Sequence, residues 1–360
     1  MKKRKVMGHL NGIFIILVLV ALSFMTAYAE RAAAAAPEKV WNLRYAAGGA
    51  PPVTPFAKSK NVWAKMVEEA THGRVKITPY HSQTLTPLKA TWGAVSSGTA
   101  DIGQAMTGYF PGQFPLTDVM TLPFVGGPSA TDNGRVMWQL YNEFPSIRAE
   151  YKGVKLLGFL ATEAYPLATT KKPVRNLEDL KGLKIRSSGG GIAMTRALGA
   201  IPVSIPMPGL YLALQKGVVD GMWYSHESIV GFRQYEVTKY VTDVPSSCVI
   251  FWDIINLDTW NEFPPDIQKQ IMSVCGEQSA VHYGGKVFDK MKETLSSRLK
   301  KQNISWPEKM ITLSPAENRR WVETAGKPIR DAWVEKWKDK GPTQKILDRA
   351  LELVAKFSGR

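Results

Sequence analysis

Apolar and polar positions change period along this chain, and the changes mark out its elements. "VWNLRYAA" from Val40 alternates as a strand does, "VTPFAKSKNVWAKMVEEA" places apolar residues at helical spacing, and "GRVKITPY" alternates again. A helix around Leu88 to Ser97, a strand over Asp101 to Met106 and a helix over Ala130 to Glu143 follow, the last with Ser129 placed to cap it. This β-α-β-α-β order predicts a mostly parallel sheet covered by helices. A second set begins at "GVKLLGFL" and runs through "PLATT", "LKIRS", a helix, "IPVSI", the "LYLALQKG" helix and "GMWYS". The expected fold class is α/β, as two such units with a cleft between them. From Pro264 to about Gln302 the spacing is helical, with Gly276 and Gly284-Gly285 inside it. A helix of that length can serve both units, and a bend is expected at the glycines. Amphipathic helices rich in Lys and Trp fill Pro315 to Phe357.

Composition narrows the class. With 360 residues, 44% hydrophobic and 21% charged, the chain can bury two cores, so disorder is excluded. Lys2, Lys3, Arg4 and Lys5 precede an uncharged apolar run that closes in Ala27-Tyr28-Ala29, the pattern of a secretory signal peptide cleaved before Glu30. A retained membrane anchor is the alternative, although the run is at the short limit for spanning a bilayer. Residues 30–39 read as a linker. Removing those four basic residues with the leader takes the net charge from +15 to +11. The remaining Lys and Arg are scattered, which together with export argues against nucleic acid and fits attraction of small anions. Cys248 and Cys275 either pair after export or stay as two buried thiols, and neither has a zinc-ligand spacing. No metal and no cofactor is expected.

Catalytic chemistry is sparse. The chain has no G-x-S-x-G, H-E-x-x-H, Walker lysine or Cys-x-x-Cys motif. His72, His81, His226 and His282 are widely separated; His226-Glu227, after the aromatic "MWY", is the best placed of them. The informative stretch is "DLKGLKIRSSGGGIAMTRALGAIPV". It sets Arg186 at a strand end, followed by two serines and three glycines that turn into a helix. An arginine beside a helix N-terminus is electrostatically awkward unless an anion sits there. The "SSGGG" run lacks the G-x-G-x-x-G spacing of a dinucleotide site, and a plain structural turn is the remaining alternative.

The series "PVRNLEDLKGLKIRSSGG", "ALGAIPVSIP", "LYLALQKGVVDG" and "YEVTKYV", with "GRVKITPYHSQTL", "SSGTADIG", "FPLTDVMTLPFV" and "INLDTWNEFPPDIQKQI", resembles the DctP-like substrate-binding proteins of tripartite ATP-independent periplasmic (TRAP) transporters. The resemblance covers about residues 40 to 310. It implies a two-lobed periplasmic-binding-protein fold, with lobe I formed by 40–162 plus about 251–290, lobe II by 163–250 plus about 291–360, and a long helix shared by both. It further implies no enzymatic activity, location in the periplasm, one small organic acid as ligand, a monomer, and small and large TRAP permease membrane subunits as partners. Arg186 matches the carboxylate-clamping arginine of the family, with Ser187 beside it and Tyr109 as a further candidate contact. Tyr165 stands where many relatives have a second arginine, Met207 where Phe is usual, and Trp223 and Tyr224 within the place of a common Q-E-N-P. Exchanging charge and amide for aromatic and thioether surface points to an organic monocarboxylate with an apolar or aromatic body. A sensory protein for the same acid and a C4-dicarboxylate binder are the alternatives. For Trp223 and Tyr224, plain core packing is the competing reading.

Overall fold

The computed structural model describes residues 39–244 and 246–358. Two sheets organise it. The first has the order β2-β1-β3-β10-β4, built from β1 (Trp41–Ala46), β2 (Val75–Tyr80), β3 (Ile102–Met106), β4 (Val154–Ala161) and, from much later in the chain, β10 (Ile250–Asn256). The second has the order β11-β9-β5-β8-β6-β7, from β5 (Leu167–Thr169), β6 (Lys184–Arg186), β7 (Ile201–Val203), β8 (Gly221–Trp223), β9 (Tyr240–Asp243) and β11 (Lys309–Thr312).

Strand direction is mostly parallel, with one reversed strand in each sheet. β10 runs antiparallel to both β3 and β4, and β5 runs antiparallel to both β8 and β9. The cause is connectivity. Parallel neighbours need a crossover, usually a helix, whereas β5 and β10 enter their sheets directly from the other sheet through the short segments 162–166 and 244–249. These crossing segments pair with each other: Thr162 N–H donates to the Val249 carbonyl and Tyr165 N–H to that of Ser247, both at 3.0 Å. The Ser246 hydroxyl donates to the Tyr165 carbonyl at 2.7 Å.

Helices cover the sheets where the apolar spacing placed them. Helix α1 (Pro55–Ala70) starts with Pro55 in its first turn and Thr54 as cap, whose hydroxyl accepts the Ala57 N–H. Helix α2 (Ala130–Glu143) is capped by Ser129, whose hydroxyl accepts the Asp132 N–H. In the second sheet, α3 (Gly191–Ala197), α4 (Met207–Gln215) and α5 (His226–Gly231) follow β6, β7 and β8.

The expected helix from Pro264 is interrupted. Helix α6 (Pro265–Ser273) ends, and Gly276 takes a left-handed φ of 62° with its N–H on the Leu157 carbonyl. The left-handed region suits a residue without a side chain, so Gly276 stops the helix rather than bending it. Helical structure resumes at Glu277 and continues through a π-type stretch (Ala280–Asp289) into α7 (Lys290–Lys301). A Cβ on Gly284 would lie 2.7 Å from the Thr131 nitrogen, so this glycine lets the stretch close on the start of α2. Further on, Leu295 and Leu299 join a core with Leu210 and Ile229 of the second lobe, so the continuous helix serves both. The final helix, α8 (Thr343–Phe357), departs from expectation. Ile346, Leu347, Ala350 and Leu353 pack into the first lobe's core with Val136, Met137 and Leu140, although the sequence reading had placed everything after 291 with the second.

The leader lies outside the described residues; among those described, no helix is long and apolar enough to cross a membrane. Cys248 and Cys275 are both buried and unpaired.

Candidate functional site

A cavity opens between the two sheets at the carboxyl ends of β1, β3, β6 and β8, the position where open α/β sheets hold ligands. The crossing segments form its back through Thr162, Tyr165 and Val249. Four phenylalanines, Phe56, Phe232, Phe251 and Phe288, line it with Leu88, Met106 and Met207. Phe56 packs against Phe251 and Phe288 with ring centroids at 5.5 and 5.3 Å. Most of the wall is therefore apolar, and its polar groups gather at two places.

Arg186 forms the first. It ends β6, is only 3% exposed, and lines the cavity. Its Nε donates to the Ile205 carbonyl at 3.0 Å. Among the described residues no carboxylate lies within ion-pair distance of it. Burial lowers its pKa, and only the nearby phenols of Tyr109 and Tyr165 act the other way. A buried guanidinium with no counter-charge is costly, and the cavity that it lines is where a ligand anion can supply one.

The glycines after Arg186 are explained by the facing lobe. A Cβ on Gly190 would lie 2.3 Å from the Thr121 carbonyl oxygen, and one on Gly108 would lie 3.0 Å from Gly189 Cα. Backbone meets backbone there, so the run serves close approach of the lobes as well as the turn.

The second polar place joins α1 to α5. Lys60 is 1% exposed; its ammonium donates to the Ala47 carbonyl and sits 4.1 Å above the Phe56 ring. A Cβ on Gly48 would come within 3.1 Å of that ammonium, so the loop after β1 leaves room for it. Burial pulls Lys60 down to about 7, against the opposing charges of Asp253 and Glu227. Glu227, in the first turn of α5, accepts the Phe56 N–H across the lobes at 3.3 Å. Burial pushes its carboxyl up to about 7, while the Phe56 N–H and Lys60 pull it back and Glu163 adds to the rise. Asp253 stands behind, raised to about 6 by burial while holding the Tyr45 hydroxyl at 2.6 Å and Gln104 Nε2 at 3.0 Å.

The expected site residues divide. Arg186, Tyr165, Tyr109 and Met207 line the cavity. Ser187 and Trp223 border a small adjoining void next to Arg186. The Ser187 hydroxyl is turned inward, donating to the Ile185 carbonyl and bonding to Thr195 Oγ1, which also accepts from Trp223 Nε1 at 2.8 Å. Tyr224 is not among the lining residues; it packs at 1% exposure between His226 and Trp306, because residues alternate across β8 and its end. His226 binds the Glu163 carboxylate through both its backbone N–H and Nδ1 at 2.8 Å. Among the described residues no group of His, Cys, Asp and Glu is arranged to hold a metal ion.

Sequence reasoning missed Lys60, Gln104 and the four phenylalanines, and it singled out the His226-Glu227 pair for its histidine, whereas the carboxylate is what lines the cavity. For Lys60 a signal existed: Phe56, Lys60, Trp63 and Val67 fall on one helical stripe of α1, and that stripe is the buried one.

Comparison with known proteins places this geometry. The chain matches the family described as DctP, bacterial extracellular solute-binding protein, family 7, over residues 46–336. A TRAP periplasmic solute-binding protein from Desulfovibrio salexigens is 34% identical, with a TM-score of 0.77 over 89% of this chain and 97% of that one; it is an open complex with the C-terminus of a symmetry mate in its ligand-binding site. A second, from Bordetella bronchiseptica with bound (R)- and (S)-mandelate, is 27% identical, with a TM-score of 0.78 over 88% and 99% of the two chains. The 2,3-diketo-L-gulonate-binding periplasmic protein YiaO of Escherichia coli is 21% identical over 272 residues, 75% of this chain and 80% of its own. The chain thus belongs to the family 7 bacterial extracellular solute-binding proteins: it is a TRAP solute-binding protein, a partner of membrane permease subunits rather than an enzyme.

Proposed function

We propose that this protein captures an organic monocarboxylate with an apolar or aromatic body between its two lobes and, acting as a monomer in the periplasm, delivers it to the small and large membrane subunits of a TRAP permease. One observation carries the reading: Arg186 is buried in the cavity without a carboxylate partner among the described residues, while four phenylalanines supply the surface beyond it. The ligand carboxylate pairs with the guanidinium in a two-pronged, charge-assisted contact, and the body packs on the rings. The mandelate-bound relative, whose ligand joins one carboxylate to a phenyl ring, supports this assignment. Ligand contacts drawn from both lobes favour the closed arrangement, so binding shifts the population toward it.

A thermal-shift screen against simple carboxylates tests the reading, since a ligand at 100 times its Kd stabilises by about 2.7 kcal/mol. Aromatic and branched monocarboxylates are expected to raise Tm, and succinate, malate and sialic acid to do so less. Stabilisation by succinate or malate with no effect of any aromatic or branched acid would overturn it.

A further inference from the structure

Lys60 and Glu227 line the cavity with Arg186, yet no part of carboxylate capture uses them. Both are at least nine-tenths buried, at 1% and 3% exposure. They come from different lobes, and their elements meet where the Phe56 N–H reaches Glu227. Their hydrogen bonding is incomplete. The Lys60 ammonium has three donors and spends one on the Ala47 carbonyl, and the Glu227 carboxylate accepts one bond of 3.3 Å among the described residues. Different groups act on the two cations: Arg186 feels Tyr109 and Tyr165, whereas Lys60 feels Asp253 and Glu227.

The missing partner can be defined by chemistry. A second carboxylate fits poorly, because the charges of Asp253 and Glu227 already act on Lys60 and would repel a further anion. A cation would meet Lys60. A carbonyl would satisfy the ammonium and leave Glu227 with its weak contact. A hydroxyl is the single-atom neutral group that accepts from the lysine and donates to the carboxylate at once.

We propose that Lys60 and Glu227 form a second subsite that binds a hydroxyl group of the ligand, so that the preferred acid carries its carboxylate at Arg186 and a hydroxyl at the far side of an apolar body. This rests on the monocarboxylate reading above and narrows it to hydroxylated acids. A parent acid without the hydroxyl leaves two buried polar groups unpaired, which is how a binding site rejects an analogue that fits it in shape.

The test is calorimetry with matched acids: benzoate, phenylacetate and 3-phenylpropanoate, each against its singly ring-hydroxylated isomers, with isophthalate as a second-carboxylate control. In the wild type at least one hydroxylated acid binds about tenfold or more tightly than its parent, the low end for a hydrogen bond to a charged group. Lys60→Met and Glu227→Gln, each measured separately with Tm as the folding check, shrink that ratio to within about threefold, as expected when one partner of the pair is lost. Equal affinity for parent and hydroxylated acids in the wild type, an undiminished ratio in either folded variant, or tighter binding of isophthalate would overturn the subsite while leaving the monocarboxylate reading in place. If none of these acids binds, the subsite falls, and the monocarboxylate reading is decided by the branched acids of the thermal-shift screen.

Discussion

The two polar walls of the cavity use the same raw material, a buried cation, in opposite ways. Arg186 faces two phenols and no acid, so its charge awaits an anion. Lys60 is acted on by the opposing charges of Asp253 and Glu227, so its charge is offset in part within the protein, while its ammonium has one hydrogen-bond partner, the Ala47 carbonyl, and can take more. Burial alone does not identify a charge-binding site. The balance of the nearest charges decides whether a pocket takes an ion or a neutral polar group. Four phenylalanines line the same cavity and give the ligand's body somewhere to lie.

The sharpest way to break this contrast is at Arg186. Arg186→Ala should weaken monocarboxylate binding by about 3–5 kcal/mol, the range for removing one partner of a buried ion pair. Arg186→Lys should also lose much of the affinity, because an ammonium cannot reproduce the planar fork. Calorimetry that finds both variants near wild type would remove the distinction between the walls.

A smaller effect is expected from the backbone beside Arg186. The Cβ introduced by Gly190→Ala would lie 2.3 Å from the Thr121 carbonyl oxygen of the facing lobe, a clash that opening of the lobes would relieve. Overpacking costs about 1–3 kcal/mol, and it should appear as lost affinity with little change in the Tm of the ligand-free protein. Unaltered affinity would mean that the Arg186 wall is not completed by this contact.

The two walls also differ in how far the sequence reveals them. Arg186, the turn after it and the strand before it are contiguous, so periodicity and local chemistry could place them together. Met207 lies close behind, at the start of the helix after β7. The Lys60 wall joins residues 60, 227 and 253, which meet only because β10 inserts between β3 and β4 and α5 packs across onto α1. Neither pairing follows from local pattern. Strand and helix positions were legible because each rests on a short period, and Ser129 and Thr54 cap as their side chains dictate. The reversed strands, the stop at Gly276 and the return of α8 to the first lobe were not, because each depends on a partner far away in sequence. Tyr224 shows the same limit: an aromatic at a strand end looks like a ligand contact until the facing core of Trp306 and His226 is in place.

The most direct test is a crystal structure of the protein with the tightest-binding acid from the calorimetric series. The expected result is the ligand carboxylate within hydrogen-bonding distance of both terminal nitrogens of Arg186, with the body against Phe251 and its neighbouring rings. A carboxylate seated on Lys60, with the guanidinium of Arg186 left without an anion, would contradict the account.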